Sequence, residues 1–233
     1  MKKNKLYYLI SDILILLICF SVFLVSTKSE YTQGYDYELK AYYLGNKNNN
    51  NVSIMINVYW GTEYLDDIMK ILIEKKADAT FFIGGSWASL NTDMLQKINI
   101  NGFEIASHGY SHLDHSKASY DTQYEEVIST HKIVKTFSGK DMTLFAPPSG
   151  AYNQDTLKVC SLNGYKVIMW SKDTIDWRDQ NTSLIYNRAT KKLKNGDLIL
   201  MHPTKCTLEA LPKIIDTIYK QGFNLVNVSS NIC

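Results

Sequence analysis

Two of the five histidines in this 233-residue chain lie four apart in Ser107-His108-Gly109-Tyr110-Ser111-His112, and Asp114 and His115 follow directly. On the first turn of a helix, residues four apart share one face. Two imidazoles on one face make half of a zinc site, which takes three or four nitrogen, sulfur or oxygen donors. The question for the rest of the chain is what else points at that pair.

A strand-like run, Gly102-Phe103-Glu104-Ile105-Ala106, leads into the pair. Similar apolar runs recur. The pattern predicts strands over 52–58, 79–83, 103–106, 143–145, 166–170, 198–201 and 223–228. It predicts helices over 64–75, 94–99, 124–137, 155–162, 183–193 and 208–220, with Asn163-Gly164 and Asn195-Gly196 as stop signals. Strand–helix alternation with short links means a parallel α/β architecture, either doubly wound or a barrel. No G-x-G-x-x-G follows the first strand, which argues against a dinucleotide fold. The unusual residues gather just after the strands: Tyr59-Trp60-Gly61-Thr62-Glu63, the histidine pair, Ala146 to Asn153, Trp170 to Trp177, and His202-Pro203-Thr204. In parallel α/β folds those strand ends build the site. Four histidines fall there; His131 falls mid-helix and reads as a surface residue.

The composition, 45% apolar and 21% charged, is that of a globular protein. The first 25 residues differ: Lys2, Lys3 and Lys5 precede an apolar run from Leu6 to Val25 with no small-x-small cleavage pattern after it. About 20 apolar residues span hydrocarbon as a helix, with the lysine-rich end cytoplasmic. The expectation is an uncleaved signal anchor over 1–28, a polar stalk and lead-in over 29–51, and a domain over 52–233 held outside the cytoplasm at the cell membrane. From residue 30 onward the chain carries 21 basic and 22 acidic residues, so the pI near 8.2 is no sign of a nucleic-acid partner. Cys160, Cys206 and Cys233 allow one disulfide, which spacing does not choose.

Four pieces in order resemble the polysaccharide deacetylase family (the NodB-homology domain, carbohydrate esterase family 4): Ser107-His108-x-x-x-His112, Pro147-Pro148-x-Gly150-x-Tyr152-Asn153, Asp173-Thr174-Ile175-Asp176-Trp177 and Leu200-Met201-His202. The resemblance runs from about Ser53 to Val228. It implies a deformed (β/α) barrel of fewer than eight units, and metal-dependent removal of acetyl from N-acetylglucosamine-type sugars of peptidoglycan or chitin. It implies His108 and His112 as ligands of a divalent metal, zinc or cobalt. It implies His202 as the acid that protonates the leaving amine, with Asp173 or Asp176 orienting it. Tyr59, Trp60, Pro148, Tyr152 and Trp177 are the expected substrate contacts.

The first and third motifs depart from the family pattern. Where the family has Thr-Phe-Asp-Asp-Gly, this chain reads Asn57-Val58-Tyr59-Trp60-Gly61. Tyr59 stands in place of the base aspartate and Trp60 in place of the metal-ligating one. Ala146 stands where the third motif opens with an arginine that pairs with the base. The losses are coherent, since a buried guanidinium without its carboxylate is costly. A phenol with a pKa of about 10 is a poor base at neutral pH, and an indole offers only a donor. Glu63 and Asp114 are the candidate replacement carboxylates; their ordinary readings are a first-turn helix residue and a loop residue. His115 reads as an exposed loop residue, Trp170 as core, and Trp87 and Trp177 as possible sugar platforms. Two functions follow: a deacetylase of N-acetylated cell-wall glycan with altered or reduced catalysis, or an inactive glycan-binding member. Asn-Val-x-Trp-Gly with Ala-Pro-Pro-Ser-Gly also resembles a branch from spore-forming bacteria, which implies an envelope or sporulation role.

Overall fold

The computed structural model describes residues 13–18, 20 and 39–233. Residues 13–18 are helical (α1) and exposed, within a unit that ends at Tyr37. No helix among the described residues is long and apolar enough to cross a membrane; the expected span over 6–25 lies largely outside them.

The second unit, Glu38–Cys233, is built on nine parallel strands. They are β1 (Ala41–Tyr42), β2 (Asn51–Val58), β3 (Thr80–Ile83), β4 (Glu104–Ser107), β5 (Leu144–Phe145), β6 (Lys166–Ile168), β7 (Lys172–Asp173), β8 (Leu198–Met201) and β9 (Asn224–Leu225). The order is β1-β6-β5-β4-β3-β2-β8-β7, with β9 pairing the first residues of β2. β1 and β7 are free edges, so the sheet is a curled half-barrel rather than a closed eight-stranded one. The helices are α2 (Leu65–Glu74), α3 (Gly85–Leu90), α4 (Thr92–Ile100), α5 (Tyr120–Ser138), α6 (Gln154–Leu162), α7 (Thr182–Thr190), α8 (Lys205–Lys220) and α9 (Val228–Asn231).

Period-two alternation decides what faces where. Ile54, Ile56 and Val58 of β2, Phe81 and Ile83 of β3, Ile105, Phe145, Val167, Ile199 and Met201 join the core beneath the helices. The alternate residues, Met55, Phe82, Ala106, Leu144, Ala146, Ile168, Leu198 and Leu200, form a second cluster on the concave side. Continuing the alternation past the strand ends puts Asn57, His108 and His202 on that concave side, at one end of the barrel. The opposite end is closed by α9: Val228 joins the concave cluster, and its backbone N–H donates to Thr80 Oγ1 at 2.8 Å.

Several boundaries differ from the sequence expectation. Helix α5 begins four residues early because Ser119 caps it, accepting from the Thr122 N–H, and Gly139 ends it at φ +72°. Helix α8 begins at Lys205 because Thr204 caps it. These first turns carry no apolar stripe, so periodicity alone misses them. The last expected strand shrinks to Asn224–Leu225, because Asn227 caps the single turn of α9. Within the stalk and lead-in expected over 29–51, Ala41–Tyr42 pairs with β6, and Asn51 opens β2. Cys160, Cys206 and Cys233 are free thiols.

Candidate active site

The histidine pair lies in a loop, not on a helical turn. His108 follows β4 directly, its N–H donating to Ile83 O, and His112 sits in the left-handed region at φ +57°. That conformation costs a non-glycine residue about 1–2 kcal/mol, so the surroundings must hold it. They do. The Glu126 carboxylate of α5, buried, accepts from the backbone N–H groups of Tyr110 at 2.8 Å and Ser111 at 2.9 Å. Gly85 N–H and Ser86 N–H of α3 donate to Gly109 O and Tyr110 O. Gly109, at φ +75°, must be glycine: a Cβ there would lie 3.1 Å from the Glu126 carboxylate. The two imidazole centroids end 5.1 Å apart.

Both rings are neutral at neutral pH. Burial, with His112 alongside, pushes His108 down to about 3. Burial also lowers His112, with His202 adding to it. His108 Nδ1 lies 2.9 Å from Ala146 O, so it carries the proton and Nε2 keeps a lone pair. The residue in the family's arginine position thus still fixes the His108 tautomer, through its backbone.

On the far wall, His202 Nδ1 lies 2.8 Å from Asp176 Oδ1, and the His202 N–H donates to Asp176 Oδ2 at 2.6 Å. Thr207 Oγ1 also donates to Asp176. Three donors on one carboxylate offset its complete burial. Of the two aspartates expected to orient His202, it is therefore Asp176 that does so. Asp173 lines the cavity and accepts from the Ile175 N–H instead.

Between these walls lies the altered loop. The Trp60 ring stacks on His202, centroids 5.4 Å apart and 16° from parallel. The Tyr59 ring lies 4.8 Å from that of His112. Gly84 makes room for it, since any Cβ there would collide with the Tyr59 ring. Trp87 is buried and serves the same loop, donating from Nε1 to Gly61 O at 2.8 Å; it is not a sugar platform. The resulting cavity of about 340 Å³ is lined by Asn57, Trp60, His108, His112, Ser149, Trp170, Asp173, Trp177, Leu200 and His202.

Other expectations are corrected. Pro148 is buried beside the site but does not line the cavity, and Tyr152 turns away to Tyr43, hydroxyls 3.0 Å apart. His115 is fully buried against Phe145, because the chain turns inward under the loop. Trp170 is half-buried: it packs against the concave cluster, as expected of a core residue, and also lines the cavity. His131 is pinned between Tyr165 and Asp141 rather than free on the surface. Neither candidate replacement carboxylate arrives: Glu63 is exposed and accepts from the Thr62 N–H, and exposed Asp114 pairs with Ser116 and Lys117.

The donor set does not fit a resident catalytic metal. Two imidazoles fall short of three or four donors, the Trp60 indole stacked on His202 offers no lone pair, and no cluster of three or more His, Cys, Asp or Glu side chains that could hold a metal exists among the described residues. Sequence reasoning missed Asn57, Glu126 and Thr207. Asn57 was findable, since it follows the apolar run Ile54-Met55-Ile56 of β2 directly before the Tyr59–Trp60 loop.

Fold and site together define a class. The chain belongs to the polysaccharide deacetylase family, whose model matches residues 45–168. It is 36% identical over 187 residues to the protein YlxY of Bacillus subtilis, covering 80% of this chain and 59% of that one. It is 31% identical over 172 residues to a peptidoglycan-N-acetylglucosamine deacetylase of Bacillus cereus, covering 71% of this chain and 80% of that one. Its fold matches BA3943, a CE4 family pseudoenzyme from Bacillus anthracis, with a TM-score of 0.83 and 31% identity over 85% of this chain and 70% of that one. A mutant of BA3943 with restored enzymatic activity matches equally well, at a TM-score of 0.83.

Proposed function

We propose that this domain binds N-acetylated cell-wall glycan, a peptidoglycan-like polymer of N-acetylglucosamine, and that its metal-dependent deacetylation is reduced far below that of relatives carrying both first-motif aspartates. One observation carries the reading: the Trp60 indole lies stacked on His202 where the family places a metal-ligating carboxylate. The polymer's identity is supported by the Bacillus cereus relative, and the reduced turnover by the likeness to a pseudoenzyme.

Each side chain then has a binding role. Trp60 and Trp177, about half exposed, with Trp170 behind them, offer aromatic faces to pyranose rings. His108 and His112 present neutral imidazoles to hydroxyl and amide donors, and His202, held by Asp176, presents its Nε2. The positional roles of metal ligand and general acid survive in His108, His112 and His202 without the carboxylate that would activate water. The complete His202–Asp176 pair favours a second reading, a slow hydrolase, because a positioned acid is half of the acid–base machinery. Residues 1–28 act in this proposal as a membrane anchor that holds the domain outside the cytoplasm; the lysine-then-apolar order supports it.

The test is acetate release from chitotetraose and from peptidoglycan in the presence of zinc, with the Bacillus cereus relative as positive control. Bound glycan with turnover at least about 10²-fold below the control is the expected result. Turnover matching the control overturns the proposal.

A further inference from the structure

Asn57 is the one polar side chain at the cavity with an unused buried acceptor. It is 3% exposed, ends β2 on the concave side, and lines the cavity. Its Oδ1 is enclosed and has no hydrogen-bond partner in the protein. Its neighbours on the same face are apolar or already committed: Met55 packs in the concave cluster, and Ser53 bonds to Asn227 and Asn231 at the closed end. A buried carbonyl oxygen without a partner is a cost that folding alone does not repay. At a cavity it is repaid when a ligand brings a donor.

The rest of the cavity says what that donor is. His108 Nδ1 is spent on Ala146 O and His202 Nδ1 on Asp176, so each ring turns only Nε2 toward ligand. Asn57 Oδ1, enclosed and without a partner, is an acceptor and calls for an N–H or O–H group. An N-acetylated sugar supplies both. Its acetamide is a trans amide, with N–H and carbonyl on opposite sides, so one asparagine oxygen takes the N–H alone and leaves the carbonyl directed elsewhere.

We infer that Asn57 is a glycan-binding residue, whose Oδ1 accepts a hydrogen bond from a donor of the bound N-acetylhexosamine, the acetamide N–H being the donor of best match. This rests on the proposed function, and it names a contact outside the histidines and aspartates of the four motifs.

The test uses Asn57→Leu, nearly isosteric and without polar atoms, in calorimetric titrations with chitotriose and in thermal unfolding. Two opposed effects are expected. Affinity for chitotriose falls by about tenfold, since the ligand loses one hydrogen bond inside a desolvated site. Meanwhile the ligand-free protein melts at a higher temperature than the unsubstituted one, because an unpaired buried oxygen has been removed. Asn57→Ala carries the same expectation for affinity should the leucine variant fail to fold. An affinity within twofold of the unsubstituted protein overturns the inference while leaving the proposed function standing. A lower melting temperature in Asn57→Leu also overturns it, by showing that the side chain is structural. No binding of chitotriose by the unsubstituted protein overturns the proposed function, and this inference with it.

Discussion

The two sides of the cavity are held together in different ways. On one, the histidines are held by buried hydrogen bonds: Asp176 grips His202 through ring and backbone, Thr207 grips Asp176, and Ala146 O fixes the His108 tautomer. On the other, the Tyr59–Trp60 loop presents aromatic rings, Tyr59 tilted against His112 and Trp60 stacked on His202. The buried side is costly to change, because removing Asp176 would strip three donors of their acceptor at once. The loop after β2 is half exposed, and its rings bring their own packing. The difference shows that the hydrogen-bonded network around His202 and His108 stands without a carboxylate in the loop after β2, since that network is also part of the fold.

The largest expected effect comes from placing carboxylates in that loop. The triple variant Tyr59→Asp, Trp60→Asp, Ala146→Arg supplies a third donor, a base and the base's partner together. Zinc affinity and acetate release from chitotetraose are each expected to rise by about 10²–10⁴-fold. Unchanged zinc binding in a folded triple variant would show that the histidine side has also drifted.

Next in size is damage to the hydrogen-bonded network around His202. Asp176→Ala leaves His202 and Thr207 with unpaired buried donors, and is expected to cost about 3 kcal/mol in urea unfolding. Trp60→Ala, on the half-exposed loop, should cost no more than about 1 kcal/mol. Equal losses would erase the contrast between the two sides.

Acid sharpens the same contrast. His108 and His115 are buried and their pKa values are lowered, chiefly by burial. A histidine with a depressed folded pKa contributes stability that is complete above its unfolded value near 6.5 and is lost as pH falls toward the folded value. Between those limits the unfolded chain binds more protons, so stability rises with pH. With His108 near 3, the loss between pH 7 and pH 5 should be roughly 2 kcal/mol, with His115 adding to it. Urea unfolding at the two pH values measures it, and replacing His115 by leucine should flatten the slope. A stability independent of pH over this range would mean the histidines are not held neutral.

The smallest effect belongs to the aromatic rim. Trp177, about half exposed, should contribute about tenfold to chitooligosaccharide affinity, read by calorimetry on Trp177→Ala with unchanged melting temperature.

Much of the fold was legible in the sequence because each strand runs straight into a chemically distinctive segment. Strand–helix alternation placed β2 to β6 and β8, and four spaced motifs carried the family. What stayed hidden has physical reasons. Capped first turns such as Tyr120–Gln123 show no apolar stripe, so only Ser119 announces them. Two-residue strands such as Ala41–Tyr42 and Lys172–Asp173 are too short for any period. His115 was misplaced because a polar loop residue gives no sign that the chain turns inward beneath Glu126. Either Asp173 or Asp176 could have served His202, and only the turn geometry, with Ile175 at φ +53°, puts Asp176 on the ring.

The central claim is that this cavity holds N-acetylated glycan without needing a metal. Its most direct test is a calorimetric titration of chitotetraose into the protein, first in EDTA and then with excess zinc. The account predicts the same affinity in both, lost when Trp60 and Trp177 are replaced together by alanine. Binding that appears only with zinc, accompanied by acetate release, would contradict it and restore a metal-dependent deacetylase.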